Sequence, residues 1–437
     1  MAAAWLLFLA AYGLGMATLK WELWPYRHLA DAWSYIAGDD VEQTTLAERV
    51  LNDFGLRPAR HLVESQRNYA IPDHYRPLEV PALSARRVAP LVHFAPDAPR
   101  GYRLVYGTFD FEDGLHGAIL LAPEGTVQRR WTVSQEDAEW ALRDDENVYP
   151  HGIEIFPDGS IVVAFDGGTS LARYGYCGEL LWRTRGAFHH SVTREGADAV
   201  WAWGPPDGSL EKETPEHMVK VAVADGQVLE AIFLDDVWPA NPDIDPFAIR
   251  QRDQADGSFW EFDRFHVNDV DPLPAELAVH YPQFEAGDLL ISLRSINLVA
   301  VVAPQTLEVK WWRQGLVRRQ HDPDWNDRGT ITIFDNNMNR GYSRIQEIDP
   351  RTMASRIVVP GEPYDFYTWH RGKHDVLPDG GYLVTSTEQG RLFEVDGEGE
   401  VVFEFINRFQ PDSGYLAVSE GRFLPTDYFE ELPACEG

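Results

Sequence analysis

Histidine is the side chain best suited to proton and group transfer at neutral pH, and in this chain of 437 residues it recurs in a regular setting. His151, the pair His189-His190, His266, His321 and His374 each lead into a short run of alternating apolar residues. Asn268 and Arg294 stand between the third and fourth of these places. Gathered imidazoles can hold a metal, act as nucleophile or acid–base catalyst, or hydrogen-bond neighbouring turns. One histidine alone is usually a satisfied structural residue. Five in one register weigh against that reading for the set. Their spacing is also unlike the tight HxH or HExxH of zinc sites.

The elements that must position them show as a repeat. A turn followed by a strand ending in a large apolar residue occurs at Pro123-Glu-Gly-Thr-Val, Tyr176-Cys-Gly-Glu-Leu-Leu-Trp182 and Ala224-Asp-Gly-Gln-Val. It recurs at Ala303-Pro-Gln-Thr-Leu, Asp349-Pro-Arg-Thr-Met and Val395-Asp-Gly-Glu-Gly. Successive units are spaced by roughly 45–50 residues with one gap near 80, the period of propeller blades. The reading is an all-β, six-bladed β-propeller with an insertion of about 35 residues within 235–285. In a propeller the innermost strands line an axial channel, so the five histidine places converge there.

Composition agrees: aromatics are 12 %, with 15 Trp, and 35 Gly and 29 Pro suit many short strands and tight turns. A net charge of −31 disfavours nucleic acid and anionic lipid as partners. There is no CxxC pair to hold zinc, and Cys177 and Cys435, one mid-chain and one in the tail, are expected to be unpaired thiols.

The N-terminus reads as a membrane anchor. Residues 2–19 are uninterruptedly apolar, long enough to span a bilayer, and Trp21, Trp24 and Tyr26 follow as an interfacial belt. A cleaved signal peptide is the alternative, with Gly15-Met16-Ala17 as the processing site. The expected organisation is an anchor over 1–26 and a helical stalk with an irregular linker over 27–98. The propeller follows over 99–430, then a tail over 431–437.

Several stretches together resemble the bacterial arylsulfotransferase family. They are Phe265-His266-Val-Asn268, the strand Gly287–Arg294, Gln320-His321, Phe334-Asp335-Asn336 and Tyr342-Ser343-Arg344. The likeness runs over about residues 100–408. It implies sulfuryl transfer from an aryl sulfate ester to a phenolic hydroxyl, with no cofactor and no metal. By motif match His321 is the residue that becomes transiently sulfated. Arg294, His266, Asn268 and His190 hold and neutralise the group, and His189, His151 and His374 complete the substrate site. The motif leaves open which of His189 and His190 faces the channel. A sulfuryl group passes through a loose transition state with charge on its equatorial oxygens, so positioned donors such as the Arg294 fork are what catalysis requires. Asp335-Asn336 reads as a turn or blade clamp rather than a catalytic pair. The expected setting is a bacterial inner membrane with the propeller on the periplasmic or exterior side. The rival readings are a metal-dependent ester hydrolase using the histidine ring, and a non-catalytic envelope scaffold.

Overall fold

The computed structural model describes residues 62–63, 74–134, 148–210, 216–244, 265–338, 341–368, 371–410 and 414–435. The anchor and stalk expected over 1–57 lie outside these residues. Among the described residues no helix is long and apolar enough to cross a membrane.

Six antiparallel sheets form the six blades. Blade 2 runs outward through Tyr149–Ile155, Ile161–Asp166, Ser170–Tyr174 and Leu180–Arg185. Blade 3 is His189–Glu195, Ala199–Trp203, His217–Ala222 and Val228–Phe233. Blade 4 is Val267–Pro272, Leu289–Leu293, Leu298–Val302 and Val309–Gln314. Blade 5 is His321–Trp325, Ile331–Asp335, Arg344–Ile348 and Ser355–Val359. Blade 6 begins with Lys373–Val376, Tyr382–Ser386, Arg391–Val395 and Val401–Ile406. It then gains Leu91–Phe94 and Arg76–Pro77 as fifth and sixth strands. Part of the stretch expected to be irregular is therefore sheet. Blade 1 closes the ring: the late strand Val418–Pro425 is innermost and pairs with Gly101–Phe111, followed by Gly114–Leu121 and Val127–Val133.

Each repeated turn in the sequence joins the third strand of a blade to its fourth. In four blades a glycine takes the left-handed position of that turn; in blades 4 and 5 Leu307 (φ 60°) and Met353 (φ 61°) take it instead. That is why the Asp/Glu-Gly signal fades in those two blades. The long gap in the repeat is divided between the connection 234–266, entering blade 4, and residues 273–288 inside it.

The core is six apolar clusters, one between each pair of neighbouring blades. Trp201, Trp203 and Ile291 sit between blades 3 and 4, and Phe334, Phe366 and Phe393 between blades 5 and 6. A single blade has two apolar faces and cannot cover both, so only the closed ring buries them all.

The expected free thiols are a disulfide, Cys177–Cys435. Sequence distance misleads in a ring. Once Val418–Pro425 has closed blade 1, the next residues lie beside blade 2. There the Glu430 amide bonds to Pro157 O at 3.0 Å and the Tyr428 hydroxyl to Ile155 O at 2.5 Å. The tail thus reaches the outer turn of blade 2, which carries Cys177.

Candidate functional site

Inner strands begin at one end of the channel, here the upper mouth, and five of the six begin irregularly. Register shifts fall at Pro150/Gly152, His189/Val192, Val267/Asp269, His321/Pro323 and Val418/Glu420. Such bulges re-aim side chains next to sites. They leave His190 (φ 60°), His266 (φ 46°) and Asp322 (φ 51°) in left-handed backbone conformations. Gly152 lets blades 2 and 3 approach: a Cβ there would stand 2.1 Å from His190 O.

The result is a packed imidazole cluster. The His190 ring lies between His151, 4.3 Å away centroid to centroid, and His266, 5.2 Å away. His189 is more exposed and meets His190 Nδ1 to Nδ1 at 2.6 Å. Two ring nitrogens at that distance share one proton, one donating and one accepting. Both histidines of the pair therefore belong to the site, with His190 the deeper.

His321 is held on all sides. Gln320 before it is fully buried, and its amide nitrogen bonds to Ser292 Oγ (3.1 Å) and Leu298 O (2.9 Å) of blade 4. Asn268 Nδ2 donates to Gln320 O at 2.7 Å. The His321 ring itself meets Asn336 Oδ1 through Nδ1 at 2.7 Å, and its Nε2 accepts the Arg371 amide at 3.1 Å. Asn336 fixes the tautomer. Its Nδ2 donates to Thr368 O (2.9 Å) and Arg371 O (2.7 Å), so its oxygen must be an acceptor. His321 therefore carries its proton on Nδ1 and its lone pair on Nε2.

Arg294 follows the second strand of blade 4, is buried, and its amide bonds to His266 O at 3.1 Å. Burial, and then the Arg294 charge, push the His321 imidazole well below its usual pKa despite the opposing Asn336 bond. Burial and neighbouring cationic or imidazole groups do the same to His151 and His190. A second guanidinium, Arg371, stacks over the Tyr149 ring, its carbon 3.5 Å from the centroid.

A charged layer forms the floor. Lys373 Nζ lies 2.8 Å from Asp269 Oδ2 and 2.7 Å from Asp322 Oδ1. Burial works against the Lys373 charge, but the two carboxylates carry its pKa well above the ordinary value. Burial raises Asp269 to about 6, while Lys373 and His374 hold Asp322 well below the usual carboxylate range against the same burial. The mouth above this layer is thus lined by imidazoles, Arg294 and Arg371, a setting that suits an anionic ester.

His374 is not brought to this cluster. From His151 and from His321 the chain runs eight residues to the turn glycines Gly159 and Gly329, but from His374 only six to Gly380. Blade 6 also has no bulge at this point. One of the two extra residues in blade 5 is the bulge residue Asp322, so His374 stands one ladder step lower than His321, level with Pro323. Its ring packs against Asp322 and Asp324, in a cavity of ≈ 580 Å³ at the lower mouth that is also lined by Asp271, Glu420 and Arg422. Burial and the neighbouring carboxylates push Asp324 and Asp271 well above the usual carboxylate range, and burial carries Glu420 to about 7. Among the described residues, the one group with three metal-ligating donors within 4.8 Å of one another is Asp322, Asp324 and His374, in this lower cavity rather than the histidine ring.

Arg371 and the Lys373 floor are not singled out from sequence, and Asn336 is read there only as part of a turn or blade clamp. Asp335 is the expected clamp: it accepts the amides of Arg318 (2.7 Å) and Asn337 (3.0 Å) and the Arg344 Nε (2.8 Å). Its neighbour Asn336 reaches the His321 ring instead. Ser343 supports it, its hydroxyl donating to Asn336 O at 3.1 Å. The contiguous Asp-Asn and Ser-Arg pairs were the available signal.

Among solved structures, a Bacteroides caccae protein of unknown function is 13% identical, with a TM-score of 0.45, covering 70% of this chain and 93% of that one. Staphylococcus aureus virginiamycin B lyase is 10% identical with a TM-score of 0.35, covering 58% and 69%. These likenesses are too remote to bear on the site. A search of curated proteins finds no match. Residues 154–408, more than half of the chain and four of its five histidine places in full, match the arylsulfotransferase (ASST) family, and the chain belongs to that family.

Proposed function

We propose that the upper mouth moves a sulfuryl group from an aryl sulfate ester to a phenolic hydroxyl through a sulfated His321. The observation that carries this reading is the Asn336–His321 contact, which leaves the nucleophilic lone pair on Nε2. Burial keeps that ring neutral at physiological pH. The Nε2 lone pair attacks sulfur, the bond from sulfur to the aryl oxygen breaks, and the phenolate leaves with a proton from His266, while His190, held neutral by burial, offers a hydrogen bond. The positive charge that develops on the ring is shared with Asn336 Oδ1 through Nδ1–H. Attack displaces the Arg371 amide from Nε2 and leaves that N–H beside the sulfuryl oxygens, with Arg294. In the second half the acceptor oxygen attacks sulfur, its proton passes to the imidazole that protonated the first phenolate, and the N–S bond breaks. Asn268, bonded to Gln320 O, positions the residue before the nucleophile.

Intact mass after mixing with an aryl sulfate tests this. The expected result is one added sulfuryl group per chain, labile in acid, stable in base, and absent from His321→Ala. An unmodified wild-type chain that turns over no aryl sulfate would favour a binding scaffold.

The reading includes an anchored, exported domain. The Cys177–Cys435 bridge supports an oxidising compartment. Full-length protein should require detergent and a chain starting near residue 30 should not. Soluble protein processed near residue 17 would identify a signal peptide instead.

A further inference from the structure

We propose that His374 and Asp324, with Asp322 orienting the imidazole, bind a divalent transition metal of the zinc type in the lower channel mouth, pinning the inner strand of blade 5 to that of blade 6. His374 is 5 % exposed, and its Nδ1 is 2.9 Å from Asp322 Oδ2. A carboxylate can only accept, so Nδ1 carries a proton and a neutral ring presents its lone pair at Nε2. That Nε2 is buried with no hydrogen-bond partner, and it faces Asp324 Oδ2 at 3.4 Å. The distance is within ion-pair reach but makes no hydrogen bond. Lone pair facing carboxylate is unfavourable unless a proton or a metal ion lies between them. Metal bonds of about 2.0–2.1 Å meeting at a tetrahedral angle place nitrogen and oxygen about 3.4 Å apart.

The surroundings have the form of a metal site. A ligating imidazole commonly gives its other N–H to a carboxylate, which orients the ring and raises its basicity; Asp322 does this for His374. Asp322 is in turn held by Lys373 Nζ at 2.7 Å. The ≈ 580 Å³ cavity leaves room for water at the remaining coordination positions. An imidazole among the ligands favours zinc, cobalt or nickel over calcium and magnesium, which take oxygen alone. The site lies on the far side of the Lys373 layer from His321 and is independent of the sulfuryl-transfer reading.

The test uses the full chain, stripped with a chelator, gel-filtered and titrated with zinc chloride. The expected outcome is one zinc ion per chain by elemental analysis and a raised thermal midpoint, with no displacement by excess calcium. Asp324→Asn and His374→Gln should each abolish binding at one equivalent, and Asp322→Asn should weaken it about 10–100-fold. If Asp324→Asn fails to fold, Asp324→His, which keeps a ligand, should fold and bind. Retention of no zinc by the wild-type chain, or binding unchanged in both Asp324→Asn and His374→Gln, would overturn the proposal. So would loss of binding in His190→Gln but not in His374→Gln, which would move the ion to the upper ring.

Discussion

Asn336 Oδ1 lies 2.7 Å from His321 Nδ1, and the same amide gives both of its N–H groups to the carbonyls of Thr368 and Arg371. One side chain therefore sets the proton position of the His321 ring and ties it to the segment that caps its Nε2. Asn336→Ala should lower kcat by about 10²-fold with KM little changed, as expected for a group that orients a catalytic imidazole. The sign of a second effect separates this role from a structural one. The Asn336 bond favours the protonated ring, so its loss should move the acid limb of the kcat profile to lower pH. A kcat profile that keeps its limb while the protein loses stability would show Asn336 to be structural only.

The pH profile of the wild-type enzyme follows from the same site. In the proposed reaction the neutral imidazole is the nucleophile, and the His321 pKa is held below the usual ~6.5 by burial and Arg294. The rate should therefore stay flat as pH falls through 6.5 and decline only at the lower folded-state value. Stability runs differently. His151, His190 and His321 all have lowered folded-state pKa values. Below about pH 6.5 the unfolded chain takes up protons that the folded chain does not, so stability falls as pH falls toward those values. Rate and thermal midpoint measured over the same pH series should part company just below 6.5, and a rate that halves at 6.5 would remove the argument.

The blade repeat was legible because turn chemistry is local: each of the six units needs a left-handed residue between its third and fourth strands. The histidine register was legible for the same reason at His151, His190, His266 and His321. His374 misled because the following Asp-Val imitates the Asp-Pro after His321, although the distance to the turn glycine is two residues shorter. Counting back from the glycines would have placed it one rung down. Arg371, and what Asn336 does beyond clamping a turn, were hidden for another reason. Their roles depend on contacts between blades 5 and 6, over 35 residues in one case and 50 in the other. No local pattern encodes these. The Cys177–Cys435 pair is the extreme instance, at a separation of 258 residues.

Two guanidiniums at the upper mouth should contribute unequally. Arg294 is the charge that acts most on His321 after burial, whereas Arg371 acts on His151 and is stacked on Tyr149. Arg294→Ala should cost about 10²–10³-fold in kcat, the usual loss for one preorganised donor to a developing charge. Arg371→Ala keeps the backbone N–H that meets Nε2 and should cost about tenfold to 10²-fold. Asn268→Ala, which frees Gln320 O, should fall at the low end of that range. Steady-state kinetics with one aryl sulfate and one phenol measures all three. Equal losses from Arg294→Ala and Arg371→Ala would mean that the sulfuryl oxygens sit between the two arginines rather than against Arg294.

The disulfide joins the tail to the outer turn of blade 2, away from both channel mouths. Its effect should be on stability and not on transfer. Bridging residues so far apart in sequence removes much freedom from the unfolded chain, and natural bridges of this kind typically contribute about 2–4 kcal/mol. Cys435→Ser should therefore lower the thermal midpoint while leaving kcat and KM unchanged. Reducing agent should lower the wild-type midpoint to the same value and leave the variant unaffected, since only the wild type has a bond to break. The tail also docks through hydrogen bonds from Glu430 N to Pro157 O and from Tyr428 Oη to Ile155 O. These should keep it in place after reduction, so that limited proteolysis cuts near Cys435 and spares the closing strand Val418–Pro425. Release of that strand on reduction would show that the bridge, rather than blade 1 pairing, keeps the ring closed.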